Sequence, residues 1–367
     1  MRMKMKRSLI GIFALVLTLT CAVSLPSSAN AAATSPDSSN ARLNQIISIL
    51  NDANGKIPES ITRSDMELFL KEGGSQVGSI LAQISSKSLP IEDLSSGNFD
   101  SSSQKNNLDE ARNSYSYNPI TGSTSYVDGS TYDKEVPDGQ TSDGSIISEG
   151  SGVKPLDYPP DWYEYDPQNY SNTRSTCKLI IKLKNSSTTY LGSGFMIAPN
   201  YIATAGHCIY QPDFGGWCDY LIVTPSNRSG NPTQPYGSAL STTVEVGGDW
   251  YNGFSENDDW GVAELSQSMS TGYLGLLDAG DNIIGWGTRA QGYPGSSEDL
   301  YLTGGNVLEA SGRYIHTTNI VVGGMSGGPL LEGRDYIIAI VTGKYDDNTS
   351  RMVKLDDWLF NKLNSYR

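Results

Sequence analysis

The chain has 367 residues, and its 26 basic and 40 acidic side chains give a formal charge of −14 at pH 7. This acidic balance argues against nucleic acid and anionic membrane surfaces as main partners, and the length allows two domains or one domain with processing segments. The only histidines are His207 and His316, so a metal site with three histidine ligands is excluded within one chain.

Residues 1–31 have the pattern of a secretory signal peptide. The basic stretch MRMKMKR precedes the apolar run SLIGIFALVLTLTCAVSL, and the small residues SSANAAA suit a cleavage site. An uncleaved membrane anchor is the alternative, but the small residues favour cleavage. No later apolar run is long enough to span a bilayer. The pattern therefore predicts export, with no membrane attachment after cleavage.

Residues 32–95 are predicted to form a small helical segment. Apolar residues recur at helical spacing in residues 43–50 and 77–84. The stretch SDMELFLKEGG begins with Ser64 and Glu67, which form a capping-box pattern. The segment is too small for a robust core of its own.

Residues 96–150 are rich in Ser, Gly, Asp and Asn, which predicts an exposed linker or a loosely ordered strap. A signal peptide, a helical segment and a polar linker in front of a compact domain indicate a pro-segment, and a cell-surface spacer is the alternative. The pro-segment is then a partner of the chain itself, as a folding aid or an inhibitor. We expect activating cleavage around residues 136–165.

Residues 151–367 are predicted to form an all-β domain that ends in a helix. Short apolar segments such as KLIIKLK, YLGSGFMIAP and YIIAIVTG are separated by Gly, Pro, Asn and Asp, as in a sandwich or barrel. The final stretch LDDWLFNKLNSY instead has apolar residues on one helical face, namely Leu355, Trp358, Leu359 and Leu363.

Three motifs in this domain point to nucleophilic catalysis. They are TAGHC with His207, DDWGVAEL with Asp259, and GGMSGGP with Ser326. A Gly-x-Ser-x-Gly motif also fits the nucleophile elbow of α/β-hydrolases, but that fold requires a histidine after the serine, and none follows Ser326. Subtilisin-like enzymes have the order Asp, His, Ser. The order His, Asp, Ser is the chymotrypsin-like one.

With these motifs the sequence resembles the trypsin/chymotrypsin superfamily, and within it the glutamyl endopeptidases that Gram-positive bacteria secrete. The stretches ATAGHCIY, PYGSALST, WGVAELSQ and GYPG carry the second likeness. The resemblance covers roughly residues 150–367 and implies two packed antiparallel β-barrels with a C-terminal helix. It implies a secreted, monomeric serine endopeptidase, made as a pre-pro-enzyme, that needs no cofactor and acts on proteins or peptides.

The resemblance also implies a role for each site residue. Ser326 would attack the scissile carbonyl, His207 would transfer the proton, and an aspartate would orient the imidazole. Asp259 is favoured because it directly precedes the apolar strand, which leaves Asp258 as a solvated turn residue. The backbone N–H groups of Gly324 and Ser326 would form the oxyanion hole.

The specificity pocket departs from the glutamyl branch. That branch places a histidine and a small hydroxyl residue where this chain has Val341 and Val321. Burying an anionic P1 side chain without such partners is costly, so we expect neutral or apolar P1 residues to be preferred over glutamate. Lys344 is the alternative, because it could reach back and restore an acidic preference. The predicted pocket residues are Val321, Val341, Thr342 and Gly343.

The cysteines depart from the family as well. The family pairs the cysteine after the catalytic histidine with one on the preceding strand, and that strand, YLGSGFMIAP, has none. Cys208 and Cys218 enclose a short loop and are the predicted disulfide of an exported protein, which leaves Cys177 free. Met325 stands where trypsin-like zymogens have an aspartate, so the oxyanion loop must be ordered without that ion pair.

Two other functions stay open. A catalytically decayed exported binding or surface protein could use the same fold, and an esterase could use the same triad. His316 lacks the TAGHC context and is expected to be structural, and a place in the lining of the substrate pocket is the alternative.

Overall fold

The computed structural model describes residues 36–91, 112–136, 140–143, 163–165, 171–184, 186–230, 234–295, 297–333 and 335–367. The predicted signal peptide and most of the predicted cleavage region lie outside these residues. Within the described ranges, no helix combines the length and apolar character needed to cross a bilayer.

The helices are α1 (Pro36–Asp52), α2 (Arg63–Glu72), α3 (Gln76–Lys87), α4 (Ser171–Arg174), α5 (Gly248–Gly253) and α6 (Asp357–Asn364). The strands are β1 (Leu89–Pro90), β2 (Asn113–Asn118), β3 (Ser123–Asp128), β4 (Tyr163–Tyr165), β5 (Thr176–Leu183), β6 (Thr189–Ala198), β7 (Tyr201–Thr204), β8 (Tyr210–Gln211), β9 (Gly216–Pro225), β10 (Ala239–Gly247), β11 (Gly261–Leu265), β12 (Gly287–Gly292), β13 (Leu300–Ser311), β14 (Tyr314–Thr317), β15 (Pro329–Glu332), β16 (Ile337–Lys344) and β17 (Ser350–Lys354).

Two antiparallel β-barrels form the body of the protein. In the first, the strand order β10-β11-β7-β6-β5-β9 closes because β9 also pairs with β10. In the second, the order β12-β15-β16-β17-β14-β13 closes because β13 also pairs with β12. Closure removes the exposed strand edges of an open sheet. These barrels and the C-terminal helix α6 confirm the fold predicted from the sequence.

Helices α1 to α3 pack against the outside of the first barrel. Strands β5 and β6 are buried along their whole length, because one face lines the barrel interior and the helices cover the other. The apolar side chains of the helices share one core with barrel side chains. The barrel side chains in this shared core are Ile180, Leu191, Tyr220, Ile222 and Leu240.

The start of α2 differs from the sequence prediction. Thr62 is the N-cap, and its side chain accepts a hydrogen bond from the Asp65 backbone while the Asp65 carboxylate accepts one from the Thr62 backbone. The carboxylate of Asp65 also pairs with Arg42 of α1 at 2.7 Å. The prediction that Ser64 and Glu67 form the capping box is therefore wrong. Thr62 and Asp65 form it instead, because Arg42 also holds the Asp65 carboxylate in place.

The polar stretch read as a linker contains an ordered hairpin. Strands β2 and β3 pair with each other, and β2 extends the first barrel by pairing with β10. Tyr117 stacks on Trp217 with ring centroids 5.3 Å apart, and Tyr115 stacks on Tyr251 at 4.1 Å. The expectation of a loosely ordered strap does not hold for β2 and β3, because alternate tyrosines give an otherwise polar strand an apolar face.

Candidate active site

The first barrel brings His207 and Asp259 together. His207 lies in a short 3₁₀ turn after β7, and Asp259 lies two residues before the start of β11. Strands β7 and β11 are antiparallel neighbours in which Thr204 faces Gly261. The end of β7 therefore meets the start of β11, and the two functional side chains emerge at the same place.

The Asp259 carboxylate holds both the ring and the backbone of His207. Its Oδ2 lies 2.7 Å from His207 Nδ1, and its Oδ1 accepts from the His207 backbone N–H at 2.8 Å. The two residues are 4% and 3% exposed. Burial disfavours the charged imidazolium, but the Asp259 carboxylate outweighs it and raises the pKa of His207 well above its usual value. This geometry fixes Nδ1 as the donor to the carboxylate and leaves Nε2 as the basic nitrogen.

Asp258 is not the solvated turn residue that the sequence suggested. It is 1% exposed, and its carboxylate accepts from Arg112 at 2.9 Å, from Trp260 Nε1 at 2.9 Å and from the Asp249 backbone at 3.0 Å. Burial raises the pKa of Asp258, and the Arg112 guanidinium opposes that rise. Asp258 therefore anchors the loop from inside, while the neighbouring Asp259 faces the histidine.

The serine lies on two consecutive tight turns in front of β15. The backbone N–H of Met325 donates to Val322, and that of Gly328 donates to Met325, both at 3.0 Å. Gly324 and Gly327 have φ values of 96° and 85° in these turns, a region that side chains disfavour. A Cβ at Gly327 would also collide with Thr204 of the first barrel. The glycines thus let the loop turn sharply while it touches the neighbouring barrel.

Ser326 is 1% exposed and is held from both barrels. Its carbonyl accepts from the Ser193 backbone of β6 at 2.7 Å and lies 3.7 Å from the Cys208 thiol, next to His207. Its hydroxyl donates to the Thr342 carbonyl of β16 at 2.8 Å. In the part of the chain that the structure describes, His207 Nε2 has no hydrogen-bond partner. The structure thus brings the serine loop against the histidine turn, with the serine hydroxyl directed to β16.

The other residues predicted for the oxyanion hole and the pocket lie around this loop. Gly324 is buried, and its carbonyl accepts from the Ser193 hydroxyl at 2.7 Å. Val321 and Val341 belong to the apolar core of the second barrel. Thr342 and Gly343 are half-buried on β16, next to the serine.

Met325 is fully buried in the second-barrel core, and a Cβ at Gly292 would meet it. The loop is therefore ordered by apolar packing and turns, in keeping with the expectation that it needs no ion pair at this position.

His316 lies on β14, where its Nδ1 is 3.0 Å from Glu309 and its ring stacks on Tyr345 at 4.1 Å.

The described cysteines are free and buried, so the predicted Cys208–Cys218 disulfide is absent. The Cys208 thiol points to the Ser326 carbonyl and towards Gly192, between the two barrels. Cys218 lies on β9, where burial raises the pKa of its thiol to about 12. Burial also raises the pKa of the Cys177 thiol. Closeness in sequence does not bring the two thiols together, because the Cys208 side chain points to the serine loop instead of to Cys218.

We expect protein that lacks residues 1–31 to release three titratable thiols in denaturant and almost none when folded. The thiolate is the reactive form, and burial suppresses it. Titration with DTNB in the two conditions measures this. A Cys208–Cys218 peptide found by mapping without reduction would contradict the expectation.

Comparison with known proteins identifies the family of this region. Residues 192–340 match the trypsin-like peptidase domain family. The chain is 33% identical over 144 residues to the glutamyl endopeptidase of Bacillus licheniformis, a stretch that covers 38% of this chain and 45% of the relative. It is 32% identical over 124 residues to the extracellular metalloprotease of Bacillus subtilis, covering 33% and 39%. The chain spans less than half the length of either relative.

Among solved structures, that of a Glu endopeptidase in complex with MPD is similar to this chain at a TM-score of 0.50 and 21% identity. The likeness covers 57% of this chain and 96% of that one, and at this identity it concerns the fold alone. The two curated relatives have names from different reaction classes, so the function must be argued from the site. The chain thus has a chymotrypsin-like fold, its residues 192–340 match the trypsin-like peptidase domain family, and it is similar in sequence to the glutamyl endopeptidase of Bacillus licheniformis.

Proposed function

We propose that this chain is an exported serine endopeptidase that uses Ser326, His207 and Asp259. The observation that carries the proposal is the buried Asp259–His207 pair, next to which the Ser326 carbonyl lies 3.7 Å from the thiol of Cys208. A paired imidazole with a free second nitrogen, beside a serine on a tight turn, is the arrangement that nucleophilic acyl transfer requires.

In the proposed reaction, Ser326 Oγ forms a bond to the scissile carbonyl carbon while its proton passes to His207 Nε2. The carbonyl π electrons move to oxygen, and the N–H groups of Gly324 and Ser326 stabilise that oxyanion. The C–N bond then breaks, and the imidazolium gives its proton to the leaving amine. A water molecule then attacks the acyl-enzyme and gives its proton to His207 Nε2. The bond to Ser326 Oγ breaks, and the imidazolium returns the proton to Ser326. Before the first step, a rotation about χ1 moves the Ser326 hydroxyl from the Thr342 carbonyl to Nε2.

One relative is named a metalloprotease, whereas the mechanism proposed here uses the side chains of Ser326, His207 and Asp259. Within the described ranges, no group of three or more His, Cys, Asp or Glu side chains is placed to hold a metal ion. Hydrolysis of casein by the processed protein, beside a Ser326→Ala variant, tests the proposal. Equal activity in both proteins would refute the role of Ser326.

The pocket residues support a preference for neutral or apolar P1 side chains. Val321 and Val341 lie in the apolar core, and Gly343 has no side chain. The hydroxyl of Thr342 is already engaged, since it donates to the Arg351 carbonyl at 2.9 Å. None of these side chains offers a free donor to a carboxylate. Lys344, which directly follows these pocket residues of β16, is exposed and carries a positive charge.

We expect a peptide library to be cleaved mainly after apolar or neutral residues. An anionic P1 side chain would lose its hydration without gaining partners. Sequencing of the products made by the mature enzyme measures the preference. Dominant cleavage after glutamate would overturn this prediction, and loss of that cleavage in Lys344→Gln would then assign the preference to Lys344.

We further propose that the helical segment is a pro-segment that assists folding and limits access to the site. Its helices complete an apolar core on the first barrel, and Arg63 donates to backbone carbonyls of β9 and β10. After α3, Leu89 and Pro90 pair with Tyr190 and Leu191 of β6. The next residue of β6 is Gly192, where a Cβ would lie 2.9 Å from the Cys208 thiol. The described part of the segment, up to residue 91, therefore runs close to the proposed catalytic turn.

The apolar N-terminal pattern and the relative named as extracellular support export of the chain. Its role as a pre-pro-enzyme and its monomeric state are parts of the same proposal.

A further inference from the structure

Arg112 lies directly before β2 and is 6% exposed. Its guanidinium donates to Asp258 Oδ1 at 2.9 Å and to the two oxygens of Asp356 at 2.6 and 2.8 Å. The same group stacks over the Trp358 ring at 4.6 Å. One buried cation thus joins three segments that are far apart in the chain, and we call Arg112, Asp258 and Asp356 the Arg112 cluster.

The first branch of the cluster fixes the loop that carries Asp259. Asp258 accepts from Arg112, from the Trp260 indole and from the Asp249 backbone. Its carbonyl also accepts from the Trp260 backbone at 2.9 Å. Asp259 lies between two residues held in this way, and its carboxylate must reach both the ring and the backbone of His207.

The second branch ties the C-terminal helix to the same loop. Asp356 is the N-cap of α6 and accepts from the Leu359 backbone at 3.0 Å while it binds Arg112. Further along, the Trp358 indole donates to the Gly129 carbonyl at 2.9 Å, and Asn361 donates to the Lys134 carbonyl at 2.9 Å. The stretch 112–136 is therefore attached to α6 as well as to β10.

We infer that Arg112 is a positioning residue for Asp259, and that residues 112–136 stay bound in the active enzyme. Release of the helical segment then requires a cut before Arg112 in addition to the expected cleavage around residues 136–165. Arg112 acts through Asp258 and does not touch the substrate. The inference rests on the proposed function only for its effect on catalysis, since its effect on His207 can be measured without turnover.

The guanidinium is suited to this task because its planar fork binds two carboxylates at fixed angles. Lysine keeps the charge but has no such fork. Arg112→Lys should therefore loosen the loop without removing the charge. The charged groups that face Asp258 are Arg112, Arg313 and Asp249, and the titratable groups that face His207 are the Asp259 carboxylate and the Cys208 thiol. Arg112→Lys changes none of the other charges.

The sign of the effect on His207 follows from its partner. Asp259 stabilises the charged imidazolium and so raises the pKa of His207. A loosened Asp259 stabilises it less, and the His207 pKa falls towards or below its usual value. The chain has only two histidines, and His316, paired with Glu309 on the second barrel, is an internal reference.

The test is an NMR titration of both histidine rings in the full chain carrying Ser326→Ala, with and without Arg112→Lys. We expect the His207 pKa to fall by about one unit, and the His316 ring signal serves as the reference. In the active protein we expect kcat to fall by about 10- to 100-fold at unchanged KM. Asp356→Asn should lower the His207 pKa as well, but by a smaller amount. If Arg112→Lys does not fold, the titration of His207 in Asp356→Asn tests the inference instead.

Arg289→Lys is the matched control, since Arg289 is a buried arginine of the second barrel paired with Asp335. It should leave the His207 titration unchanged. Equal His207 pKa values in the Ser326→Ala chain with and without Arg112→Lys would overturn the inference, as would full kcat in activated enzyme shown by mass spectrometry to lack residues 112–136. An inactive wild type that still shows the expected shift would refute the proposed function and support the inference.

Discussion

Replacing Ser326 by alanine is expected to lower kcat on casein and on peptide substrates by about 10⁶-fold. The variant keeps the His207–Asp259 pair and the turns of the loop but has no oxygen to form the acyl-enzyme. Water then reacts without covalent catalysis, aided only by binding and by the oxyanion donors. Initial rates on a peptide that the mature enzyme cleaves well measure the loss.

Ser311→Ala is the matched control, because Ser311 is exposed at the end of β13. It should retain full activity. A fluorophosphonate should label the mature wild type on the peptide that contains Ser326 and should not label Ser326→Ala. Labelling of another residue, or turnover that survives in Ser326→Ala, would mean that the nucleophile lies elsewhere.

The second large effect is expected for Asp259→Asn, with a loss in kcat of about 10⁴-fold. The carboxylate holds the Nδ1 proton of His207, whereas an asparagine amide can present its own N–H and favour the wrong tautomer. Only the neutral imidazole accepts the serine proton, so activity is lost as pH falls through the raised pKa of His207. Without Asp259 that acidic limb should move to lower pH, and a profile of kcat/KM against pH measures both changes.

The variant Asp258→Asn distinguishes the role of Asp258 from that of the adjacent Asp259. It weakens the bond to Arg112 and should lower the thermal stability of the protein, with a smaller effect on kcat than Asp259→Asn. A variant Asp259→Asn that keeps its activity, together with an inactive but folded Asp258→Asn, would reverse the assignment.

The short apolar runs between turn residues were sufficient to predict an all-β sandwich or barrel, and the two-barrel arrangement was implied by the family resemblance. The sequence was also sufficient to propose the catalytic residues. His207 and Asp259 each lie beside an apolar strand, and antiparallel pairing of β7 with β11 brings them together. The three motifs, and the family resemblance that they carry, therefore supplied most of the prediction of the site.

The Arg112 cluster had no signal in the sequence. Arg112 is separated from Asp258 by 146 positions and from Asp356 by 244, and a lone arginine in a polar stretch resembles a solvated residue. For the same reason Asp258 was misread as exposed. Hairpin β2–β3 was not predicted because the overall composition of the stretch is polar and hides the alternation of tyrosines along β2. The face on which these tyrosines lie becomes clear only from the pairing of β2 with β10.

The apolar face shared by the first barrel and helices α1 to α3 has a consequence for the solubility of the processed protein. If activation releases the helices, these side chains of β5, β6, β9 and β10 become a contiguous water-exposed patch, and such patches drive self-association. The strong negative charge of the chain opposes that association. How well the processed protein stays dispersed would then depend on salt, which screens that charge, and on how long the released helices remain bound.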